Sequence, residues 1–192
     1  LLIFSQEPVK DTVTSIKKAK KVKKIIIPTL TYNNSFKAII GFMASGFYKL
    51  NASDTISPES SSTLIGAYST NDTWYVVQAN KFYIKEDKFR SKLVGGFGSV
   101  NFQTFIDWSD IIGGLPPGII PVPPPEDGVF VGYNTKFQFV YLDFLARVYK
   151  KLYVGANLVY SHALTEFDAS GIPEEEVNLF GFGFASEYDT RN

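Results

Sequence analysis

The sequence predicts an all-β fold, an antiparallel meander of about eight long strands in which neighbours along the chain pair. Three observations predict it. From Ile25 onward, apolar residues recur at every second position, which is the spacing of a half-buried strand rather than of a helix. Turn-forming residues separate the alternating runs. No segment carries a convincing helical stripe of apolar residues, so we assign every element as a strand.

The clearest alternation runs from Ser35 to Leu50, where the even positions are apolar and the odd positions are mixed. This run is far longer than the usual strand of about five or six residues. The strand at 128–149 is expected to contain a β-bulge near Val140, where its apolar face switches parity. In chain order, the predicted strands are 25–32, 35–50, 61–70, 73–84, 88–105, 128–149, 152–166 and 177–190.

Break lengths differ between the two ends of the sheet, apart from 51–59, a longer connection at the end that otherwise has short turns. Four breaks have hairpin length, namely Asn33-Asn34, Asn71-Asp72, Lys85–Asp87 and Lys150-Lys151. Two are longer, 107–127 and 168–176, and the first of them is rich in proline, which excludes a regular strand or helix. If the chain starts in the periplasm, both long loops are extracellular, and 107–127 is expected to fold over the barrel mouth or to contact a partner.

Strand length and aromatic placement favour a transmembrane barrel over a soluble sheet. A membrane-spanning strand needs about 9–11 residues. In the fourth predicted strand, Trp74 and Phe82 are about 26 Å apart, which is close to the height of the apolar band between two aromatic girdles. A soluble β-sandwich or a lipocalin-like barrel also alternates and remains the alternative. In the membrane interpretation, these side chains point outward to lipid: Phe36, Ile40, Phe42, Phe89, Leu93, Phe180, Phe182 and Phe184.

Composition bounds the partners and divides the chain in two. The 19 basic and 19 acidic residues cancel, so no net field argues for nucleic acid. No cysteine is present, which excludes disulfides and thiol catalysis. Residues 1–24 are interpreted as a signal-peptide remnant followed by a basic periplasmic tail, and residues 25–192 as the barrel segment.

The candidate chemistry is sparse, and we expect neither an enzyme nor a cofactor. Ser161 and His162 are adjacent in a predicted strand and therefore point to opposite faces, so they cannot be catalytic partners. No cluster has metal-ligand spacing. Asp189 and Arg191 share a face and are interpreted as an anchor for a periplasmic turn.

Three short motifs resemble the BamA/TamA-type family of outer-membrane assembly barrels, also called the bacterial surface antigen family. IIIPTLTYNNSFKAIIGFMASGFY, from Ile25 to Tyr48, resembles its opening hairpin. KKLYVGANLVYS, from Lys150 to Ser161, resembles its basic turn and glycine-containing strand. GFGFASEYDTRN, from Gly181 to Asn192, resembles its strand ending in an aromatic residue and D-T-R. The motif positions, which the resemblance implies to be structural, are Pro28, Tyr32, Gly155, Tyr188, Asp189, Thr190 and Arg191.

The resemblance implies the N-terminal half of a barrel in the bacterial outer membrane, exported by a signal peptide. It also implies a role in inserting or translocating proteins, with membrane lipid, client outer-membrane proteins and assembly partners as contacts. The alternatives are a passive pore or structural surface barrel and, behind these, an outer-membrane lipid hydrolase. Because the family barrel is larger than eight strands, we expect the first and last strands to remain unpaired at the edges of an open, curved sheet.

Overall fold

A computed structural model describes residues 22–106, 129–168 and 173–190 of this chain. Their period-two sequences form eight strands and no helix, which confirms the predicted all-β meander. The strands are β1 (Lys23–Asn33), β2 (Lys37–Tyr48), β3 (Ser60–Ser69), β4 (Trp74–Ile84), β5 (Phe89–Ile106), β6 (Val129–Tyr149), β7 (Leu152–Phe167) and β8 (Glu175–Tyr188).

The eight strands form one antiparallel sheet whose spatial order is their order in the chain. Among the described residues, each strand pairs with its sequence neighbours, and no pairing joins β1 to β8. The prediction of an open sheet with β1 and β8 at its edges is therefore confirmed. Within the described ranges, each edge strand therefore has one side whose N–H and C=O groups pair with no other strand.

Hairpin turns lie where the short breaks were predicted. Residues with positive φ, a backbone conformation that tight hairpin turns require, lie in these turns or directly beside them. These residues are Lys37, Asp72, Lys85, Glu86, Asp87 and Lys150. The longer connection between β2 and β3 is described as well, whereas the predicted loop 107–127, the tail before Val22 and Arg191 lie outside the described residues. Lys23 and Lys24, which we assigned to the tail, belong to β1.

Two expectations about the strands are wrong. The register of β6 runs without interruption through Val140 on both sides, and the irregularity lies between Arg147 and Tyr149 instead. The apparent change of parity arises because the middle of β6 is apolar on both faces. Phe36 was expected to share the outward face of β2, but it lies in the β1–β2 turn and its ring contacts Phe102, with the centroids 5.3 Å apart.

Directly opposed residues of paired strands share a face of the sheet, so the registers assign every strand residue to one of two faces. The apolar face is the one that contains Ile40, Tyr68, Trp74, Phe97, Phe144, Leu158 and Phe182. The mixed face is the opposite one and contains Thr63, Tyr83, Arg90, Leu145, Tyr153 and Glu187.

Exposure differs sharply between these two faces. Where side chains are described, the exposed large apolar side chains of β2 to β7 lie on the apolar face. Val148, at the register shift, is the exception. Among the described side chains, the buried apolar residues are Tyr83, Val131, Leu145 and Tyr153, and all of them lie on the mixed face. Because side chains crowd together on the concave side of a curved sheet, the sheet curves toward its mixed face.

Cysteine pairs test the open sheet directly, because the chain contains no cysteine of its own. Ile40 and Tyr68 are direct partners in β2 and β3. Their Cα atoms therefore lie within the 4.4–6.8 Å that a disulfide spans. We expect Ile40→Cys with Tyr68→Cys to form an intrachain disulfide in detergent micelles. We expect Leu30→Cys to form none with a cysteine at Phe180, Phe182 or Phe184, as read on non-reducing gels. An intrachain bond between β1 and β8 would show a closed barrel and contradict the open sheet.

Candidate functional site

The β4–β5 turn places an acid and a base on the mixed face. Lys85, Glu86 and Asp87 all adopt positive φ, between 52° and 60°, which reverses the chain within a few residues. Asp87 then lies three residues before Arg90, and its two carboxylate oxygens accept hydrogen bonds from Nε and Nη2 of Arg90 at 2.9 and 2.6 Å. This two-pronged contact is the strong geometry for a guanidinium and a carboxylate.

The connection between β2 and β3 holds this turn in place. The carboxylate of Asp54 accepts a hydrogen bond from the backbone N–H of Glu86 at 3.0 Å, and the Ser57 hydroxyl accepts one from the N–H of Asp87 at 2.7 Å. The Ser57 hydroxyl donates in turn to Asp54 at 2.6 Å. That hydrogen bond is the largest of the contacts that lower the pKa of Asp54 to about 2. The capping carboxylate is therefore ionised at neutral pH, and its contribution to stability is lost only as the pH falls toward that value.

Arg90 binds two further acids that come from β8 and the residue after it. Its Nη1 donates to Oε1 of Glu187 at 2.5 Å, and its Nη2 donates to the carboxylate of Asp189. Only 2% of the Arg90 side chain is exposed. Lys92, also on the mixed face, lies 3.6 Å from carboxylate oxygens of both Asp143 and Glu187.

Tyr153 in β7 completes the arrangement. Its ring lies under the guanidinium, with 3.7 Å between Cζ of Arg90 and the ring centroid. Its hydroxyl lies within hydrogen-bond distance of the Asp87 carboxylate and carbonyl, at 2.9 and 3.0 Å. Arg90, Asp87, Tyr153, Glu187 and Asp189 are called the Arg90 cluster below.

The motif positions divide between the two edges of the sheet. Gly155 lies in β7 on the mixed face, where a Cβ atom would collide with the carbonyl oxygen of Phe144, so the glycine permits the close approach of β6 and β7. Asp189 belongs to the Arg90 cluster. Tyr188 lies on the apolar face and Thr190 is exposed. Pro28 and Tyr32 lie in β1 at the opposite edge, so the structure does not bring them together with the others.

The sequence indicated part of the Arg90 cluster but not its partners. Alternation along 88–105 places Lys88, Arg90 and Lys92 on one face, but it does not indicate that carboxylates at the end of β8 would meet them. Asp189 and Arg191 were interpreted as an anchor for a periplasmic turn; Arg191 lies outside the described residues, and the structure pairs Asp189 with Arg90. The local signal is a basic residue at the second position of an alternating strand, and it does not identify carboxylates that lie 97 and 99 positions away.

The Arg90 cluster joins β5, β7 and the residues at the end of β8. Ser161 and His162 lie on opposite faces, and Nδ1 of His162 is 2.9 Å from the side-chain oxygen of Asn178. Among the described residues, no group of three or more histidine and acidic side chains could hold a metal ion. In the same residues, no helix has the length and apolar character needed to cross a bilayer.

Comparison with known proteins adds no identification. No protein-family model, no curated protein and no solved structure matches this chain.

Removing the Arg90 side chain should destabilise the sheet far more than removing an exposed lysine. Arg90→Met leaves three carboxylates without their shared cation. Removing one partner of a buried ion pair lowers the free energy of unfolding by about 3–5 kcal/mol. Lys136→Met removes an ion pair with Glu166 in which the lysine side chain is 56% exposed, and such pairs contribute about 1 kcal/mol or less. Unfolding by denaturant in detergent micelles, followed by tryptophan emission, measures both. Equal losses of stability would show that the Arg90 cluster does not hold the sheet.

Proposed function

We propose that this chain is part of an outer-membrane β-barrel of the BamA/TamA type and assists the insertion or translocation of proteins at the outer membrane. The observation that carries the proposal is the exposed apolar face on long strands, with the buried ions on the opposite face. This is the arrangement of a membrane barrel, whose outward face meets lipid and whose interior is polar. In a soluble sheet, the same apolar side chains would lie in the buried core.

Strand length supports a membrane-spanning role. The described strands run from 10 residues in β3 to 21 residues in β6. All of them reach the length of about 9–11 residues that a tilted strand needs to cross the hydrocarbon core. The longest strands, β5 and β6, pair along 18 residues, from Phe89 with Ala146 to Ile106 with Val129. They would extend past the membrane at the end opposite the short β4–β5 turn.

The open edge at β1 suggests how such a barrel would act on a client protein. An unpaired strand edge accepts an incoming strand through backbone hydrogen bonds. Pro28 has no backbone N–H, so one hydrogen bond between β1 and an added strand would be missing. Ile26 and Leu30, 72% and 80% exposed, lie on the apolar face of this edge. A client strand would therefore find an apolar and incompletely bonded partner, which favours its release.

A passive pore or structural surface barrel is the alternative, because the polar and charged side chains of the mixed face also suit a water-filled interior. A lipid hydrolase has less support, since Ser161 and His162 lie on opposite faces. The alternative differs from the proposal in one measurable respect. A passive barrel does not change the rate at which another barrel folds.

A charge placed on the apolar face should abolish activity, whereas a charge on the mixed face should not. Leu158 and Asn157 are neighbours in β7; Leu158 lies on the apolar face and Asn157 lies on the mixed face. Leu158→Arg would lower the stability of the barrel in the bilayer by about 2–4 kcal/mol if the residue lies near the midplane. Asn157→Arg is a matched control, because its partner in β6 is Asp143.

The measurement is the folding rate of a client outer-membrane barrel added to vesicles that contain the chain. We expect the unaltered chain and Asn157→Arg to accelerate client folding, and Leu158→Arg to remain unincorporated and inactive. Incorporation of the unaltered chain without acceleration would favour the passive barrel. Equal incorporation of both variants would reject the membrane interpretation.

A further inference from the structure

Charged side chains are distributed unequally between the two ends of the described sheet. The turns β4–β5 and β6–β7 lie at the same end and carry Lys85, Lys88, Arg147, Lys150 and Lys151. The other end carries two lysines, Lys37 and Lys136, within the described ranges. It also carries a group of acids: Asp72, Glu166, Asp168, Glu174, Glu175 and Glu176. The end with the two short turns also carries Lys23, Lys24, Lys49 and Arg90 and the acids Asp54, Glu59, Glu86, Asp87, Glu187 and Asp189, so cations outnumber acids there.

Three of these cations surround a hollow of about 410 Å³ between the two turns. Lys88, Arg147 and Lys150 line it together with the apolar side chains of Ile56, Val148 and Tyr149. Glu86 also lines it, so three basic residues and one acidic residue border the hollow. We call this space the rim hollow.

Two hydrogen bonds to backbone carbonyls hold the β4–β5 and β6–β7 turns together. The N–H of Arg147 donates to the carbonyl of Lys88 at 2.8 Å, and the Arg147 guanidinium donates to the carbonyl of Glu86 at 2.5 Å. The three basic residues thus lie on two hairpin turns that are joined by hydrogen bonds, and the side chains of Lys88 and Lys150 are exposed.

The rim hollow combines positively charged side chains with exposed apolar ones. Ile56, Val148 and Tyr149 are 60–64% exposed. Nζ of Lys150 lies 5.3 Å from the centroid of the Tyr149 ring, and Nζ of Lys85 lies 5.8 Å from that of Phe89. Lysines beside aromatic rings at the margin of an apolar face are typical of the membrane interface, where stems lie in lipid and charges reach headgroups.

We propose that the rim hollow binds the phosphate of an anionic phospholipid headgroup, with Lys88, Arg147 and Lys150 as its cationic ligands. Ile56, Val148 and Tyr149 then contact the glycerol and the upper acyl chain. An inorganic phosphate would satisfy the cations but leave these apolar side chains in water, so the site favours the lipid. The inference rests on the proposed membrane location and adds which lipid class the short-turn end contacts.

The test is lipid binding by the full chain in zwitterionic detergent micelles, measured by native mass spectrometry. Phosphatidylglycerol, phosphatidylcholine and inorganic phosphate are added separately. A basic side chain beside an anionic lipid contributes about fivefold in affinity. We therefore expect Lys88→Gln with Lys150→Gln to weaken phosphatidylglycerol binding about 25-fold. The matched control is Lys37→Gln with Lys136→Gln at the acidic end, which should change this binding less than twofold.

Each outcome decides the inference. Stronger binding of phosphatidylglycerol than of phosphatidylcholine, lost in the first pair and kept in the control pair, supports it. Equal binding of the two lipids, equal loss in both pairs, or full competition by inorganic phosphate overturns it. If the first pair of substitutions prevents folding, as measured by circular dichroism, phosphatidylglycerol binding by the unaltered chain is measured at rising salt concentration. Binding by cations weakens as salt rises, so binding that does not change with salt overturns the inference. Incorporation into phosphatidylcholine vesicles tests the membrane location separately, so the two failures are distinguishable.

Discussion

The guanidinium of Arg90 reaches from β5 to carboxylates at the end of β8, and the shape of the described sheet follows from this contact. Strands β5 and β8 are separated by three inter-strand spacings, roughly 14 Å in a flat sheet. Direct bonds to Glu187 and Asp189 therefore require the sheet to curve toward the mixed face. Tyr153, from the strand between, fills the space under the guanidinium and bonds to Asp87. Curvature, turn geometry and the end of β8 are thus coupled through one buried cation.

Curvature separates the two faces into different environments. The concave mixed face buries ions and aromatic rings, and the convex apolar face presents side chains such as Phe184, which is 85% exposed. The most exposed apolar side chains lie on β1 and β8, because an edge strand has a neighbour on one side alone. Lipid would cover the face but not the backbone edges. The same fold therefore combines a surface suited to a bilayer with two edges suited to further strands.

Strand positions and parity were predictable because alternation is a local property, and the eight predicted runs correspond to the eight strands. The predicted bulge near Val140 was wrong because Phe137, Phe139 and Tyr141 lie on the mixed face beside the apolar-face Val140, Leu142 and Phe144. Periodicity cannot distinguish an interior aromatic group from a change of parity. The Arg90 cluster was not predictable, since its ion pairs join residues 97 and 99 positions apart and depend on curvature.

Spin-label accessibility along β7 tests most directly whether the apolar face meets lipid. Single cysteines replace Val154, Leu158 and Tyr160 on the apolar face and Asn157, Val159 and Ser161 on the mixed face. In vesicles, collision with oxygen, which dissolves in lipid, is compared with collision with a polar nickel chelate. We expect oxygen access that alternates with period two and is high at Val154, Leu158 and Tyr160. Higher oxygen access at Asn157, Val159 and Ser161, or no alternation, would contradict it.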